Sequence, residues 1–179
     1  MQTLPHTLTI SPEITLEKVA IQHAPALFTQ IDRHRDYLNH YVQWSRFTQS
    51  PKDTEDFLQR CEQGIAEGKA FVWTIFYQQQ AVGTISFNAP IDWQNRTACF
   101  GYWLSPEAQG KGIVSQAIAI LIQATKLHFD HYLLKCAVHN LKSNQVAQRC
   151  GFQFEQCLPQ AEQIGEQWFD QNVYRLSTK

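Results

Sequence analysis

The chain has 179 residues, of which 44% are hydrophobic and 17% are charged, and its formal net charge is -1. A chain of this size and composition can bury a sizeable core, so we expect a single domain over residues 1–179 rather than a disordered chain or a coiled coil. A net charge so close to zero argues against a protein that binds nucleic acid mainly through its phosphates.

The sequence has no basic stretch followed by an apolar stretch at its start, and no run of about 18 apolar residues. We therefore expect neither a signal peptide nor a membrane span, and a cytoplasmic location. The five cysteines are an odd number at irregular spacings. This pattern predicts reduced, mostly buried thiols rather than a disulfide framework.

The first predicted elements are an edge strand within residues 7–19 and a helix over residues 22–41. Four apolar residues of that helix share one stripe: Leu27, Ile31, Leu38 and Tyr41. A second helix has clear start signals, because Ser50 is a good N-cap and Pro51 a good first helical residue. We expect this helix to end near Gly68.

Three strands rich in aromatic and β-branched residues follow, over residues 70–77, 81–87 and 97–104. The short polar connections between them predict a meander of three antiparallel neighbours. Residues 112–129 then carry apolar side chains at the spacing of one buried helix face. This part of the chain therefore combines antiparallel strands with a long helix.

The remaining elements are a strand over residues 132–138, a short helix from Ser143 to Cys150 that is closed by Gly151, and two last strands over residues 152–158 and 168–176. The last two strands should pair in antiparallel fashion. The whole order of elements predicts an α+β fold around one sheet.

A phosphate-binding turn is expected between the third meander strand and the long helix. Free N–H groups and the positive end of the helix dipole lie near Gly110, Lys111, Gly112 and Ile113, and glycine lets an anion approach the main chain. Neither a Walker loop nor a dinucleotide fingerprint fits, since the latter needs a third glycine near Ser115. The alternative is an ordinary tight strand-to-helix connection.

Three ordered segments carry a resemblance to a known family. They are Gly101-Tyr102-Trp103-Leu104, then Gln109-Gly110-Lys111-Gly112-Ile113-Val114, then Asn140-Leu141-Lys142-Ser143 with Val146-Ala147 and Gly151-Phe152. The second resembles the Q/R-x-x-G-x-G/A signature of the GNAT acetyltransferases, and the order of elements is also similar to theirs. The resemblance implies a GNAT fold, in which a mostly antiparallel, splayed sheet is flanked by helices on both faces.

The resemblance also implies a cosubstrate, acetyl-coenzyme A. Main-chain amides from Gln109 to Val114 would bind its pyrophosphate, although Val114 departs from the usual small residue. The strands around residues 102–104 and 135–138 would splay, and the pantetheine arm would lie between them as a pseudo-strand. Asn140 would bind the pantetheine, or it is simply a turn or cap residue.

Within the family, residues 154–162 and 168–174 resemble the Rim-type enzymes that acetylate the N-terminal serine of ribosomal proteins. The resemblance implies direct acetyl transfer to a protein N-terminus. From charge and hydropathy we expect neither a nucleic-acid nor a membrane partner, and the chain would act as a monomer or a homodimer. One alternative is a small amine such as a polyamine or an aminoglycoside as the acceptor. Another is a non-catalytic module that binds acyl-CoA.

The candidates for moving protons each have a structural alternative. Many family members place a donor tyrosine at the position of Ala147, so Ser143 becomes the candidate donor, or else a plain N-cap. The candidate base is Glu107, or else Glu107 is a solvated loop acid and water relays the proton, since Cys99 stands where some relatives carry glutamate. Two further residues, Asp170 and Tyr174, are candidates for shaping the acceptor pocket, or they are structural.

A metal site is not expected, because no cluster of ligands stands out. Cys136 and His139 are three residues apart in and after a strand, which places them on opposite faces. His128 and His131 flank a helix end, where histidine often complements the dipole. Cys136 could lie near the thioester sulfur, but a buried core thiol is the more common fate.

Overall fold

The computed structural model describes residues 3–178, which form one eight-stranded sheet and five α-helices. The strands are β1 (Thr7–Thr9), β2 (Ile14–Lys18), β3 (Phe71–Tyr77), β4 (Gln80–Phe87), β5 (Thr97–Leu104), β6 (His131–Ala137), β7 (Gln153–Ile164) and β8 (Gln167–Ser177). The helices are α1 (Ala24–Arg33), α2 (Arg35–Leu38), α3 (Pro51–Ala66), α4 (Ile113–Thr125) and α5 (Leu141–Arg149).

The strands lie in the order β1-β2-β3-β4-β5-β6-β8-β7. Every neighbouring pair is antiparallel except β5 and β6, which are parallel. The predicted meander of β3, β4 and β5 is confirmed, as is the mostly antiparallel sheet of an α+β fold. Because β5 and β6 are joined through α4, that helix is the crossover that a parallel pair requires.

Hydrophobic side chains project from both faces of the sheet, since successive residues of a strand point in opposite directions. Trp73 and Ile75 of β3 belong to the larger core, which also contains the apolar face of α4. Val72, which precedes Trp73 and points to the opposite face, packs instead with Leu27 of α1 and Leu58 of α3. Helices therefore cover both faces, as the resemblance implied.

The predicted helix over residues 22–41 is broken at His34, whose φ of -113° and ψ of 21° are not helical. The Arg35 guanidinium donates to the carbonyl of Ser45 at 2.6 Å, a long-range contact that turns α2 toward the 44–46 turn. Leu38 of the predicted stripe is buried, but Tyr41 lies beyond the helix. The single long helix was therefore wrong, and the apolar stripe was right up to Leu38.

The predicted start of α3 is confirmed by a reciprocal cap. The Ser50 main-chain N–H donates to the Asp53 carboxylate at 2.8 Å, and the Asp53 N–H donates to the Ser50 hydroxyl at 3.4 Å. The helix ends at Ala66, close to the predicted end at Gly68. Local side-chain chemistry thus sets the position of this helix.

Helix α4 ends at Thr125, four residues earlier than predicted. The Thr125 hydroxyl donates to the carbonyl of Leu121 at 2.6 Å and shares a second hydrogen bond with the Tyr132 hydroxyl at 2.8 Å. Phe129 is then fully buried, with its ring centroid 5.3 Å from that of Phe87. The chain leaves the helix early because Phe129 packs into the sheet core.

Other boundaries differ at the two ends of the chain. The first predicted strand is an edge strand, β1, but the chain turns at Ser11 and returns as β2. The last two strands are longer than predicted because their pairing resumes after a register shift between Leu158 and Glu162. Among residues 3–178, no helix is long and apolar enough to cross a membrane.

Candidate active site

Free main-chain N–H groups line the connection between β5 and α4. From Gly110 to Ser115, the N–H groups donate to no main-chain acceptor within residues 3–178. Gly110 and Gly112 have φ values of 74° and 69°, a region that glycine enters without strain. A Cβ added at Gly110 would meet nothing within 4 Å. The turn is therefore open on the side where an anion would meet the N–H groups and the helix dipole.

A buried hydroxyl supports an anion at the same place. Ser115 Oγ has no hydrogen-bond partner among the described residues, and Ser115 lines a cavity of about 660 Å³ together with Gly110 and Gly112. A buried polar atom without a partner is unfavourable, so a ligand oxygen fits beside it. Lys142 and Arg149 line the same cavity and add positive charge. These groups suit the pyrophosphate of coenzyme A, and the cavity is called the cofactor cavity below.

The side chains of Gln109 and Lys111 are already engaged within the protein. Gln109 Nε2 donates to the Tyr37 hydroxyl at 2.9 Å and to the Leu104 carbonyl at 3.1 Å. Lys111 Nζ donates to the carbonyl of Glu107 at 2.9 Å. At both positions the main chain, rather than the side chain, is left for a ligand.

The sheet splits beside the cofactor cavity. The parallel pairing of β5 and β6 covers only Thr97–Phe100 and His131–Leu134. Beyond it, residues 101–104 pair with β4 alone and residues 135–137 pair with β8 alone. The inner edges of both strands are thus free within the described chain, and an extended ligand arm could pair with them. Tyr102, Trp103 and Leu104 all lie on this free edge.

A second cavity, of about 850 Å³, lies between α3, the sheet and β7, and is called the acceptor cavity below. The residues that line both cavities are Tyr41, Val42, Tyr102, Trp103, Asn140 and Ser143. The two cavities therefore meet where the sheet splits. A thioester lying in one and an amine lying in the other would come together at this junction.

Asn140 and Ser143 hold the start of α5 at the junction. Asn140 is the N-cap of α5, and its side-chain oxygen accepts from the Ser143 N–H at 3.2 Å. Ser143 is therefore inside the first turn, and its alternative role as N-cap was wrong. Its own hydroxyl shares a 2.6 Å hydrogen bond with the Tyr102 hydroxyl, and Ser143 is only 8% exposed.

Glu107, the candidate base, lies in the short turn before the phosphate-binding loop. Its carboxylate is 3.7 Å from His34 Nε2 and 3.8 Å from Arg33 Nη1, and its side chain is 64% exposed. Neither cavity includes Glu107 among its lining residues. This position favours the alternative of a solvated loop acid.

The two candidates for the acceptor pocket, Asp170 and Tyr174, line neither cavity. Asp170 Oδ1 accepts from the Gln160 main-chain N–H at 2.9 Å. The Tyr174 hydroxyl is buried and donates to the Asn144 side-chain oxygen at 2.7 Å. Both positions favour the structural alternative.

Sequence reasoning missed Glu162, a half-buried residue that lines the acceptor cavity. Its carboxylate accepts from Gln171 Nε2 at 3.2 Å, and burial raises the pKa of Glu162 above its ordinary value. The register shift just before Glu162 turns it inward. Within a polar stretch of β7, no periodicity in the sequence signals that orientation.

Two cysteines line the acceptor cavity. Burial raises the pKa of the Cys136 thiol to about 11 and also raises the pKa of Cys99, so both stay neutral near physiological pH.

His139 Nε2 lies 3.2 Å from the His40 carbonyl oxygen. Among residues 3–178, no group of three His, Cys, Asp or Glu side chains could hold a metal ion.

Comparisons with known proteins agree with this geometry. A family model described as "Acetyltransferase (GNAT) domain" matches residues 13–153. The Escherichia coli (strain K12) ribosomal-protein-serine acetyltransferase is 38% identical over 170 residues, which is 94% of each chain.

Solved structures are also similar. The microcin C7 self-immunity acetyltransferase MccE, in complex with acetyl-CoA and AMP, is 35% identical with a TM-score of 0.93 over 97% of each chain. A second similar structure is that of RimL, a ribosomal L7/L12 alpha-N-protein acetyltransferase, in complex with coenzyme A that is disulfide-linked to a cysteine. RimL is 31% identical, with a TM-score of 0.91 over 96% of this chain and 97% of its own. The loop, the split sheet and these matches together show that the chain belongs to the GNAT family of acetyltransferases.

Proposed function

We propose that this protein transfers the acetyl group of acetyl-CoA to the N-terminal amine of a protein that begins with serine. The observation that carries the proposal is the meeting of the cofactor and acceptor cavities at Tyr102 and Ser143. The choice of a serine N-terminus rests on the name of the E. coli relative, and that of an α-amine on RimL.

Acetyl-CoA binds across the split in the sheet. Its pyrophosphate accepts hydrogen bonds from the N–H groups of residues 110–115, and its pantetheine arm pairs with residues 102–104. This placement brings the thioester to the junction of the two cavities, beside Ser143. Main-chain N–H groups of the free β5 edge polarise the thioester carbonyl.

The chemistry is aminolysis of a thioester. The acceptor enters as an ammonium and loses one proton to Glu162, whose pKa burial raises above its ordinary value, so that it is a stronger base than an exposed carboxylate. The neutral amine attacks the carbonyl carbon, a C–N bond forms and the C–S bond breaks. The amine's second proton passes to solvent, and Ser143 donates its proton to the departing sulfur. The proton that Glu162 took from the ammonium then returns to Ser143, so both groups are restored.

The charges in the acceptor cavity do not favour a polycation. Asp53 is engaged by the α3 cap, and Asp56 is 2.8 Å from Lys52 Nζ. Glu162, Arg60 and Lys135 line the same cavity, so its charges are mixed. A polyamine or an aminoglycoside would need an excess of available carboxylates, whereas a protein terminus does not.

A second candidate acceptor is a small amine that carries a nucleotide. Trp44 and Phe57 line the acceptor cavity and are 37% and 43% exposed, so their rings are available for a planar ligand. The MccE structure contains AMP together with acetyl-CoA. This candidate keeps the same chemistry and changes only the group that surrounds the amine.

A peptide assay tests the proposal. The protein is incubated with acetyl-CoA and a synthetic peptide that has a free N-terminal serine and an internal lysine, and mass spectrometry locates the added acetyl group. We expect acetylation of the α-amine, with release of one thiol per acetyl group. The same peptide with a blocked N-terminus serves as the control and should stay unmodified.

The alternatives give different results in that assay. Competitive inhibition of the serine peptide by AMP would favour the nucleotide-bearing amine. Tight coenzyme A binding without thiol release, for the peptide and for a panel of small amines, would favour a non-catalytic acyl-CoA-binding module and contradict the proposal.

The proposed substrates also suggest where the enzyme acts. Acetyl-CoA and ribosomal proteins are cytoplasmic, so we place the reaction in the cytoplasm, with residues 1–179 as one acetyltransferase domain. Either a monomer or a homodimer is compatible with the site, since the residues assigned roles here all belong to one chain.

A further inference from the structure

The hydroxyls of Tyr102 and Ser143 form a direct hydrogen bond at the junction of the two cavities. Tyr102 comes from β5 and Ser143 from α5, and their oxygens are 2.6 Å apart. Both residues line both cavities. The pair therefore lies where the sulfur of a bound thioester would depart.

A tyrosine cannot reach this point from α5 itself. Ala147 occupies the helix position at which the resemblance led us to look for a donor tyrosine, and Ala147 is fully buried in the larger core. Tyr102 brings a phenol to the first turn of the same helix from the opposite wall. The chain thus has a tyrosine hydroxyl at the junction, but one that contacts Ser143.

We propose that Tyr102 is the positioning residue of Ser143 and resupplies its proton during the reaction. The Tyr102 hydroxyl donates to Ser143 Oγ, which leaves the single Ser143 proton free to point at the sulfur. Hydrogen bonds in such a chain strengthen one another, so Ser143 becomes a better donor than an isolated serine. The inference rests on the proposed function and adds a residue to it.

The protons balance over one turnover. As the C–S bond breaks, the sulfur takes the Ser143 proton and Ser143 Oγ takes the Tyr102 proton. The phenolate of Tyr102 then recovers, through solvent in the acceptor cavity that both residues line, the proton that Glu162 took from the acceptor amine. Serine never carries a full negative charge, which an unaided serine would have to do.

Burial keeps the phenol in the form that the relay requires. Tyr102 is half-buried as a residue, and burial of its hydroxyl raises the pKa of Tyr102 well above its ordinary value. The hydroxyl therefore holds its proton across the pH range in which an amine acceptor is active. The neighbouring Cys136 is also neutral there, so no thiolate competes for the Ser143 proton.

The test compares Tyr102→Phe, Ser143→Ala and the double variant, with acetyl-CoA and the peptide that begins with serine. We expect Tyr102→Phe to lower kcat about tenfold while the Kd for coenzyme A stays within about twofold, because the phenyl ring still fills its place. The double variant should be no slower than Ser143→Ala, since both changes break one chain. Rates in mixtures of light and heavy water should indicate two moving protons in the wild type and one in Tyr102→Phe.

Tyr132→Phe is the matched control. Its hydroxyl shares a 2.8 Å hydrogen bond with Thr125 Oγ1, but Tyr132 lies in the core and lines neither cavity. It should lose stability and keep its kcat. Wild-type kcat in Tyr102→Phe, or additive losses in the double variant, would overturn the inference while leaving the proposed function intact. A wild type that acetylates no serine peptide would instead contradict the proposed function.

Discussion

Asn144 connects three parts of the structure behind the junction of the cavities. Its Nδ2 donates to the carbonyls of Ala137 at 3.1 Å and Asn140 at 2.8 Å. Its Oδ1 accepts from the Asn172 amide at 2.8 Å and from the Tyr174 hydroxyl at 2.7 Å. Because every one of these groups has a partner, the first turn of α5 has a fixed position relative to β6 and β8.

Asn144→Asp should destabilise the protein by at least about 2 kcal/mol, because a carboxylate would face the carbonyls of Ala137 and Asn140 without a donor. Urea unfolding measures the loss. Asn172→Ala is the control and should cost about 1 kcal/mol or less, since Asn144 Oδ1 keeps its bond from Tyr174. Equal losses in the two variants would contradict the central role of Asn144.

Glu162 has opposite effects on stability and activity. Burial raises the pKa of Glu162 in the folded protein, so its ionised form is less favourable there than in the unfolded chain. Ionisation of Glu162 therefore does not destabilise the folded protein below the unfolded-chain pKa of about 4.3, and its destabilising effect is complete above the folded-state pKa. Stability should fall as the pH rises through this window.

Glu162→Gln removes that destabilisation and also removes the proposed base. We expect a higher Tm than wild type near neutral pH, no difference near pH 4, and a kcat lower by about 10²–10⁴-fold. Thermal melts at the two pH values and peptide kinetics measure these effects. Glu155→Gln, on the same strand but paired with Arg175 at 2.7 Å, should keep wild-type kcat. A normal kcat in Glu162→Gln would exclude it as the base.

At the scale of elements, local signals in the sequence predicted what local contacts determine. The cap at Ser50 and the aromatic and β-branched composition of β3 are local features, and both predicted elements are confirmed. The break at His34 depends on the distant Ser45, and the inward turn of Glu162 depends on the pairing of β7 with β8. Periodicity and capping preferences carry no information on either contact. The first predicted helix was therefore too long, and Glu162 was missed as a residue of the acceptor cavity.

The phosphate-binding turn is an intermediate case. Its two glycines and the following apolar helix predicted the open N–H groups, and the structure has them. The split between β5 and β6 was implied by the family resemblance, since no residue pattern within either strand signals where pairing stops. Physical reasoning on the sequence was therefore enough to locate the phosphate-binding turn, whereas the split between β5 and β6 could be expected only from similarity to the family.

Gly112→Trp should abolish coenzyme A binding without unfolding the protein. A side chain there would project from the turn, and its φ of 69° would cost about 1–2 kcal/mol in an L-residue. Calorimetry measures affinity, and circular dichroism measures folding. Gly68→Trp is matched, since Gly68 has the same φ of 69° at the end of α3 and lines neither cavity. It should share the stability loss and bind coenzyme A normally; unchanged affinity in Gly112→Trp would contradict the site.

At the scale of the whole molecule, the sheet consists of two halves. Strands β1 to β5 form one half, and β6, β8 and β7 form the other. Among residues 3–178, the two halves pair as strands only through the short parallel pairing of Thr97–Phe100 with His131–Leu134. Helices α4 and α5 contact each other beside the split. A ligand lying along the split would therefore connect two parts that the sheet itself joins weakly.

Coenzyme A should stabilise the protein and slow hydrogen exchange along the split. Binding at about 100 times Kd contributes about 2.7 kcal/mol, which for a chain of this size raises Tm by about 5–10 °C. Exchange should slow most at residues 110–115 and at those of residues 101–104 whose N–H groups face the split rather than β4, because these N–H groups gain acceptors. The hairpin of β1 and β2 at the far edge is the internal control, and its exchange should change little.

The pattern of protection separates a ligand in the split from a ligand elsewhere. AMP lacks the pantetheine arm, so even if its phosphate occupies the turn it should slow exchange at residues 110–115 and leave residues 101–104 unchanged. Gly112→Trp should lose the protection that coenzyme A gives to both segments. If coenzyme A raised Tm while residues 101–104 exchanged as before, the arm would lie outside the split. The thioester would then be far from Ser143, and the assignment of the junction as the reaction site would be wrong.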